Sequence, residues 1–258
     1  MARTAPTSSD AQPTDARTPD ARPNDAALRE MLAQVTTATA SAMLYKRGYP
    51  KTFMLGARPI QQGVRVCGRA VTLRLGPGRP DLATAEEDRN TKDPMWLAIE
   101  SLGDGDVLVI DCGGDQSGAT TGDILAARIK RLGAVAIVCD GAVRDAAQIA
   151  ELVGIPVWSK GVQGLGFTPN LVSLDRGLPV RLFDVTVIPG DYILADDDGV
   201  TMVPAAMAPE IAEVGLEQER KETFIRGLVQ EGVPVSECYP PNKETLRKYE
   251  AWKKEQSA

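Results

Sequence analysis

The sequence contains no histidine, and this absence removes several classes of enzyme from consideration. Ser–His–Asp and Cys–His catalysis, phosphohistidine chemistry and His-ligated zinc or iron sites all require an imidazole. Acid–base chemistry in this chain must therefore use carboxylates, lysine, tyrosine, cysteine or metal-bound water. A bound metal ion would have oxygen ligands, which favours Mg²⁺ or Mn²⁺.

Cysteines are few and widely spaced, and none belongs to a CxxC motif. They stand at Cys67, Cys112, Cys139 and Cys238. Cys112 and Cys139 lie at the ends of apolar runs, which is typical of buried reduced thiols. The cysteines therefore do not predict a zinc or redox centre.

Long hydrophobic runs and an excess of positive charge are also missing. Apolar runs such as AVAIVC (134–139) are far too short to span a bilayer, and the N-terminus lacks the apolar segment of a signal peptide. The formal net charge of −6 argues against a nucleic-acid partner, because binding to phosphates needs a cationic surface. We therefore expect a cytoplasmic protein without a membrane or nucleic-acid partner.

The first 26 residues have no large apolar side chain after Met1. Aspartates recur every five residues between prolines, so the segment cannot bury enough surface to offset its ordering entropy. We predict a disordered tail over residues 1–26. Residues 27–258 are predicted to form a single α/β domain with a C-terminal helical extension.

The clearest pattern in that domain is a βαβ unit. A buried strand, VLVID (107–111), is followed by the glycine-rich loop CGGDQSGATTG, a helix that begins at Asp123, and a second buried strand over 134–139. Continuous apolar strands that flank a helix predict parallel pairing. A further helix to about Val153 and the strand IPVWS continue this pattern.

The flanking segments have other periodicities. The spacing of apolar residues predicts one helix over 27–48, and alternation predicts a strand region over 63–75. Residues 179–204 predict an antiparallel meander, followed by a long polar helix and a terminal helix. Its acidic segment ADDDGV (195–200) lacks the ligand spacing of an EF-hand, so we interpret it as a hairpin turn rather than a calcium site. The predicted fold class is α/β with a mixed sheet.

Chemistry-bearing side chains cluster where the two parallel strands end. Ligands in open α/β sheets bind beyond the carboxyl ends of parallel strands, and the βαβ return would bring the two loops together there. The loops supply Asp115, Gly122, Asp123, Asp140, Arg144 and Asp145. The helix that begins after Gly122 also points the free backbone N–H groups of Ile124 and Leu125 toward this edge. The alternative is that Asp123, Arg144 and Asp145 only cap helices.

These residues stand in a motif with a known counterpart. TGDILAARIKRLGAVAIVCDGAVRD (121–145) resembles the signature of the RraA-like family, in which an Asp is followed by twenty residues and then Arg-Asp. This family includes 4-hydroxy-4-methyl-2-oxoglutarate/4-carboxy-4-hydroxy-2-oxoadipate aldolases and a protein regulator of ribonuclease E. Residues 56–75, 187–204 and 216–225 are also similar, and the resemblance covers about residues 27–252. LYKRG and YPPNKETLRKYEAW resemble a longer subgroup that is often labelled as ribonuclease regulators.

The resemblance implies a swivelling β/β/α-type domain and a divalent-metal pyruvate aldolase. Arg144 would pair with the carboxylate of a 2-oxo acid, and Asp145 would hold Mg²⁺ or Mn²⁺, directly or through water. Asp123 would orient a water that shuttles protons. A pyruvate enolate formed by C–C cleavage also accounts for oxaloacetate decarboxylation.

The resemblance further implies that the amides of Ile124 and Leu125 grip the substrate carboxylate across Gly122. It implies a trimer or hexamer in which a glutamate from the C-terminal helix of a neighbour assists. Glu219 and Glu222 are the two candidates, and the sequence does not choose between them.

Three other functions remain open at this stage. A non-catalytic ribonuclease regulator would need neither Asp145 nor a metal ion. A sugar-acid dehydratase or another lyase could use the same metal ion and arginine. A Schiff-base aldolase using Lys160 is the weakest alternative, because no partner residue for that lysine is identifiable.

Overall fold

The structure, a computed structural model, describes residues 25–256, so nearly all of the predicted tail lies outside the described residues. The predicted tail boundary is two residues too late. Helix α1 (Asp25–Leu32) already includes Asp25, whose carboxylate accepts hydrogen bonds from Arg69 Nε at 2.7 Å and from the Tyr192 hydroxyl at 2.6 Å. The contacts of Asp25 with two side chains of the sheet hold the start of α1 against the body of the domain.

The remaining helices follow in chain order. They are α2 (Thr37–Lys46), α3 (Arg89–Lys92), α4 (Pro94–Glu100), α5 (Asp123–Arg131), α6 (Ala146–Gln148), α7 (Ala208–Gln230), α8 (Val235–Cys238) and α9 (Lys243–Glu255). A π-helix, Ile149–Val153, continues α6 directly.

The strands are β1 (Arg58–Pro59), β2 (Val66–Pro77), β3 (Asp106–Asp111), β4 (Ala136–Val143), β5 (Val157–Val162), β6 (Leu171–Arg176), β7 (Val180–Leu182), β8 (Val185–Val187), β9 (Tyr192–Ala195) and β10 (Val200–Val203). The main sheet has the order β1-β5-β4-β3-β2-β9-β10, and β6 pairs with the second half of β2. Strands β2 to β5 are mutually parallel, whereas β1, β6, β9 and β10 pair antiparallel with their neighbours. The predicted α/β fold with a mixed sheet is confirmed.

The parallel strands are buried on both faces, which explains their continuous apolar sequences. Leu108 and Ile110 of β3 face a core shared with α4, α5 and the π-helix. Val107 and Val109 face the opposite core, which is closed by the β7–β8 hairpin. Helix α5 has an acidic residue in its first turn and basic residues in its last, a distribution that complements the helix dipole.

The single helix predicted over 27–48 is wrong, because the chain is extended at Thr36 (φ −70°, ψ 153°). The Thr36 side chain accepts from the Thr39 amide at 3.0 Å and so caps α2. Glu219 of α7 accepts from both the amide and the hydroxyl of Thr36, at 2.9 and 2.8 Å. A run of β-branched threonines weakens helix propensity, and threonine is a good N-cap, so the break falls here.

The predicted meander is divided between two sheets. Strands β7 and β8 form a separate hairpin, whereas β9 and β10 pair within the main sheet. The acidic segment forms the β9–β10 turn, as predicted, and the Asp196 carboxylate accepts from the amide and hydroxyl of Thr37 at 2.9 and 2.7 Å. Strand β6, absent from the sequence-based description, fills the edge beside β2.

The C-terminal helices pack on one another through aromatic side chains. Phe224 of α7 lies 5.8 Å from Tyr249 and 5.6 Å from Trp252 of α9, measured between ring centroids. The Tyr249 hydroxyl donates to Glu217 at 3.0 Å. The predicted helical extension therefore includes a helical pair with its own small core. Among the described residues, no helix is long and apolar enough to cross a membrane.

Candidate active site at the carboxyl edge of the parallel strands

Backbone hydrogen bonds hold the glycine-rich loop after β3 against the end of β4. The Thr120 amide donates to the Ala142 carbonyl at 2.8 Å, and the Arg144 amide donates to the Thr121 carbonyl at 2.9 Å. Gly122 follows immediately as the N-cap of α5. The βαβ return thus places the first turn of α5 beside the Arg144–Asp145 turn.

Gly122 is the point of closest approach between the two loops. A β-carbon at this position would lie 2.7 Å from Asp145 Oδ2 and 2.9 Å from Arg144 Nε. Both separations are shorter than a β-carbon normally tolerates. The absence of a side chain at Gly122 therefore lets a guanidinium and a carboxylate reach the backbone at the start of a helix.

Arg144 and Asp145 form a weak ion pair with much of both side chains in solvent. Arg144 Nε lies 3.3 Å from Asp145 Oδ2, and the two side chains are 48% and 38% exposed. Asp145 occupies the left-handed region (φ 57°, ψ 37°), and its side chain makes no capping bond to α6 although it stands at the N-cap position. Such a conformation is unfavourable for a residue other than glycine, and it turns the carboxylate toward Gly122 instead of along α6.

Asp123 occupies the first position of α5 and uses one of its free amides. Its Oδ1 accepts from the Ile124 N–H at 2.8 Å, so this N–H group is engaged within the helix turn. The Leu125 N–H lies in the same first turn, where no preceding helical carbonyl is available. Of the two amides suggested by the sequence, only that of Leu125 is therefore open.

A residue that the sequence analysis did not assign to the site also contacts Arg144. A β-carbon on Gly166 would lie 3.3 Å from Arg144 Nη1, so the guanidinium lies between the backbones of Gly122 and Gly166. The Ala119 amide donates to the Leu165 carbonyl at 2.9 Å and so fixes the loop after β5 at this place. Gly166 belongs to the glycine-rich segment GLGF (164–167), whose sequence does not indicate which residue approaches it.

Two of the aspartates suggested by the sequence lie elsewhere. Asp115 Oδ1 accepts from the Ser117 amide at 2.7 Å within the glycine-rich loop. Asp140 is 3% exposed and lies on the opposite face of the sheet, near Asp111. Burial, with a smaller contribution from Asp111, raises the pKa of Asp140 to about 6.

The residues around Gly122 fit a magnesium-type ion held mainly by water. Among the described residues, no group of three or more carboxylates or cysteines is placed to hold a metal ion. Asp145 is a single carboxylate in a space that a side chain on Gly122 would fill. Mg²⁺ keeps several waters and needs only one or two carboxylates when a substrate supplies further oxygens.

The two glutamates of α7 have different environments. Glu219 is half-buried and engaged with Thr36 of its own chain. Among residues 25–256, Glu222 accepts only from the side chain of Gln218, one helical turn away, at 2.7 Å. Glu219 therefore stabilises the α1–α2 junction, and Glu222 is the more available carboxylate of the pair.

Comparisons with known proteins all indicate the same family. A profile of the RraA-like family, described as Aldolase/RraA, matches residues 24–202. A putative 4-hydroxy-4-methyl-2-oxoglutarate aldolase from Halalkalibacterium halodurans is 25% identical over 182 residues, which are 70% of this chain and 80% of that protein. A protein with the same description from Ectopseudomonas mendocina is 36% identical over 114 residues, which are 43% of this chain and 67% of that protein.

A crystal structure supports the same relationship. It is that of an unusual member of the RNase ES inhibitor RraA protein family from Streptomyces coelicolor. The two chains are 33% identical, with a TM-score of 0.70 over 78% of this chain and 96% of the other. The family match covers most of the chain, includes Gly122, Arg144 and Asp145, and ends before α7. This chain belongs to the RraA-like (Aldolase/RraA) family.

Proposed function

We propose that this protein is a divalent-metal-dependent lyase that acts on 2-oxo acids through a pyruvate enolate. The type is that of a 4-hydroxy-4-methyl-2-oxoglutarate aldolase or an oxaloacetate decarboxylase. The observation that carries the proposal is the convergence of Arg144 and Asp145 on Gly122. A guanidinium and a carboxylate, both open to solvent at a helix N-terminus, suit the binding of a 2-oxo acid and a divalent ion.

Arg144 and the start of α5 would bind the substrate carboxylate. The planar guanidinium donates two parallel hydrogen bonds to a carboxylate, and the Leu125 N–H can add a third. The Ile124 N–H becomes available only when Asp123 leaves it. A rotation of Asp123 toward the reacting atoms would therefore release a further donor for the substrate.

Asp145 would hold the divalent ion, which when bound supplies positive charge that stabilises the enolate. In aldol cleavage, the substrate hydroxyl loses a proton, the C–C bond breaks, and its electron pair forms the pyruvate enolate. The enolate then takes up a proton at its methylene carbon. Asp123 would move these protons through a water molecule, and its position next to Gly122 at the start of α5 supports this role.

The enolate is tested by exchange of the pyruvate methyl protons with D₂O and by decarboxylation of oxaloacetate, with Mg²⁺ or Mn²⁺ present. We expect both activities in the wild type, and we expect EDTA to abolish them. Asp145→Ala should reproduce the effect of EDTA. Arg144→Lys should weaken 2-oxo acid binding by about ten- to a hundredfold, since losing a charge-assisted bond costs about 1.5–3 kcal/mol.

Two results would contradict this proposal. One is wild-type protein that shows neither exchange nor decarboxylation with either metal ion. The other is Asp145→Ala and Arg144→Lys variants that match the wild type, which would mean that these residues only shape the turn. Incubation of the wild type and the same variants with a panel of sugar acids would reveal a dehydratase that uses this site.

A ribonuclease regulator is the second candidate, and the 33% identity to the Streptomyces coelicolor protein favours it. Such binding would not need a metal ion. Inhibition of an RNase E-type enzyme that persists in EDTA and in Asp145→Ala, together with no enolate chemistry, would select this function.

We also propose a homo-oligomer, a trimer or hexamer, with the site near a subunit boundary. Large apolar side chains near the carboxyl edge of the parallel strands are exposed, namely Ile124, Val162 and Leu165. Their exposure favours a covering partner surface. Glu222 is the candidate from the neighbouring α7. Light scattering checks the assembly, and a monomer at micromolar concentration would exclude a shared site.

A further inference from the structure

A second cavity lies on the other face of the sheet from α5. It has a volume of about 450 Å³ and lies between the ends of β2 to β5 and the β7–β8 hairpin. This volume is within the range of about 300–1,000 Å³ that is typical of small-molecule sites. Neither Arg144 nor Asp145 lines it.

Four adjacent parallel strands each contribute one charged residue to this cavity. In the order of the sheet from β5 to β2 these are Lys160, Asp140, Asp111 and Arg74, so the charges run positive, negative, negative, positive. Asp111 and Arg74 are register partners. Lys160, Asp140 and Asp111 lie two positions beyond Trp158, Val138 and Val109, and Arg74 lies four beyond Ala70, so all four continue one core face because side chains alternate along a strand.

The two central carboxylates are fixed by backbone amides. Asp140 accepts from the Cys112 and Gly114 amides, at 2.5 and 3.0 Å, and the Phe183 amide also lowers its pKa. Asp111 accepts from the Gly113 and Arg181 amides, at 2.9 and 3.2 Å. An ionised carboxylate has about four acceptor positions, so each retains capacity for a further donor. These four bonds give rigid acceptors on the floor of the cavity.

The cations of the cavity do not neutralise these carboxylates directly. Within the described residues, no ion pair joins Asp111 or Asp140 to a lysine or arginine. Arg74 pairs with Asp175, and Arg181 pairs with Asp184 at 2.6 Å. Lys160 donates to the Gly114 carbonyl at 2.9 Å, which is a neutral partner. Lys160 is therefore the cation of the cavity with the most capacity for an anion.

We propose that this cavity is a second binding site, which takes a small hydroxylated monocarboxylic acid. Its hydroxyl groups donate to Asp111 and Asp140, and its carboxylate accepts from Lys160. A simple anion would be repelled by the central carboxylates, and a simple cation by the flanking lysine and arginine. A molecule that carries donors at one end and one carboxylate at the other matches the row of charges. This inference is independent of the proposed lyase activity.

Calorimetric titration of the full chain with glycerate, threonate and gluconate tests this site. EDTA is present throughout, so that a metal ion near Asp145 cannot recruit these acids. We expect at least one of the three to bind, and we expect Lys160→Met and Asp140→Asn each to weaken binding tenfold or more. Acetate, which lacks hydroxyls, and glycerol, which lacks a carboxylate, should not displace the ligand.

Two variants locate the binding. Arg144→Ala should leave binding of the hydroxy acid unchanged. Lys92→Met should also leave it unchanged, because Lys92 is an exposed lysine that pairs with Asp88 and does not line the cavity. Lys160 is exposed, so Lys160→Met tests the site even if Asp140→Asn loosens the turn that Asp140 holds. The proposal is overturned if none of the acids binds, if Lys160→Met binds as the wild type does, or if Arg144→Ala abolishes binding.

Discussion

The two charged clusters at the carboxyl edge of the sheet hold their side chains in opposite ways. Arg144 and Asp145 are about half exposed, and glycine backbones define the space around them. Asp111 and Asp140 are 7% and 3% exposed and accept four amide hydrogen bonds. The side chains of the first cluster occupy space that glycines leave open, whereas those of the second cluster are held in place by hydrogen bonds.

This difference indicates what each cluster can do. The charges beside Gly122 have few fixed partners, so a ligand or a metal ion can take them over without breaking internal bonds. The buried carboxylates also hold the Cys112–Gly114 turn, so a ligand there can only add donors to an arrangement that already exists. We therefore expect chemistry at the first cluster and selective binding at the second.

The largest effect that separates the two clusters should come from Gly122→Ala. The new methyl group would displace Asp145 Oδ2 and Arg144 Nε, both of which lie within 3 Å of its position. A displacement of about 1 Å at a reacting group can cost about a hundredfold in rate. We expect kcat/KM for oxaloacetate to fall by about a hundredfold, whereas binding of a hydroxy acid near Lys160 should not change.

Two other glycines of the loop after β5 provide a graded control. Gly164→Ala meets no atom within 4 Å, so its kcat/KM should stay within about twofold of the wild type. Gly166→Ala approaches Arg144 Nη1 at 3.3 Å and should give an intermediate loss, seen mainly in KM. Equal activity of the Gly122 and Gly164 variants would show that close approach at Gly122 does not matter.

Much of the first cluster could be predicted from the sequence because its geometry is local to one βαβ unit. The apolar strands, the helix between them and the Asp123-to-Arg144 spacing all indicate two loops that meet at one edge. The role of Gly166 could not be predicted, because its position depends on the return of the loop after β5 to Ala119. That hydrogen bond joins two loops, and no pattern in the sequence links them.

The second cluster could not be predicted from the sequence. Strand alternation and a shift in the β4–β5 register place residues that are close in sequence, such as Asp140 and Arg144, in different sites. Asp140 continues the face of Val138, whereas Arg144 follows an irregularity in the β4–β5 pairing between Cys139 and Ala142. Asp140 and Arg144 lie at the end of the same strand, as the sequence predicts, but Asp140 lines the cavity beside the β7–β8 hairpin and Arg144 does not. The split of the first helix at Thr36 was missed for a similar reason, since its partner Glu219 is distant in sequence.

The smallest expected effect concerns stability and tests whether Asp140 is strained by its burial. Burial raises the pKa of Asp140 from 3.8 to about 6, so the folded state binds a proton more tightly than the unfolded chain does. Its contribution to stability is therefore fully present below about pH 4 and is lost as the pH rises through about 6. Asp140→Asn removes this titration. At every pH, however, the side-chain NH₂ of the asparagine faces one backbone N–H to which it cannot bond.

We therefore expect the unfolding free energy of Asp140→Asn, relative to the wild type, to rise by about 1–3 kcal/mol between pH 4.5 and 7.5. Urea unfolding at four pH values measures this difference. Asp81→Asn is a matched control, because the hydrogen bond from Arg79 lowers the pKa of the exposed Asp81, which then titrates below this range. A pH-independent difference for Asp140→Asn would mean that the amides of Cys112, Gly114 and Phe183 compensate fully for burial. Ionised Asp140 would then carry no net cost of burial, and the two clusters would differ only in their exposure to solvent.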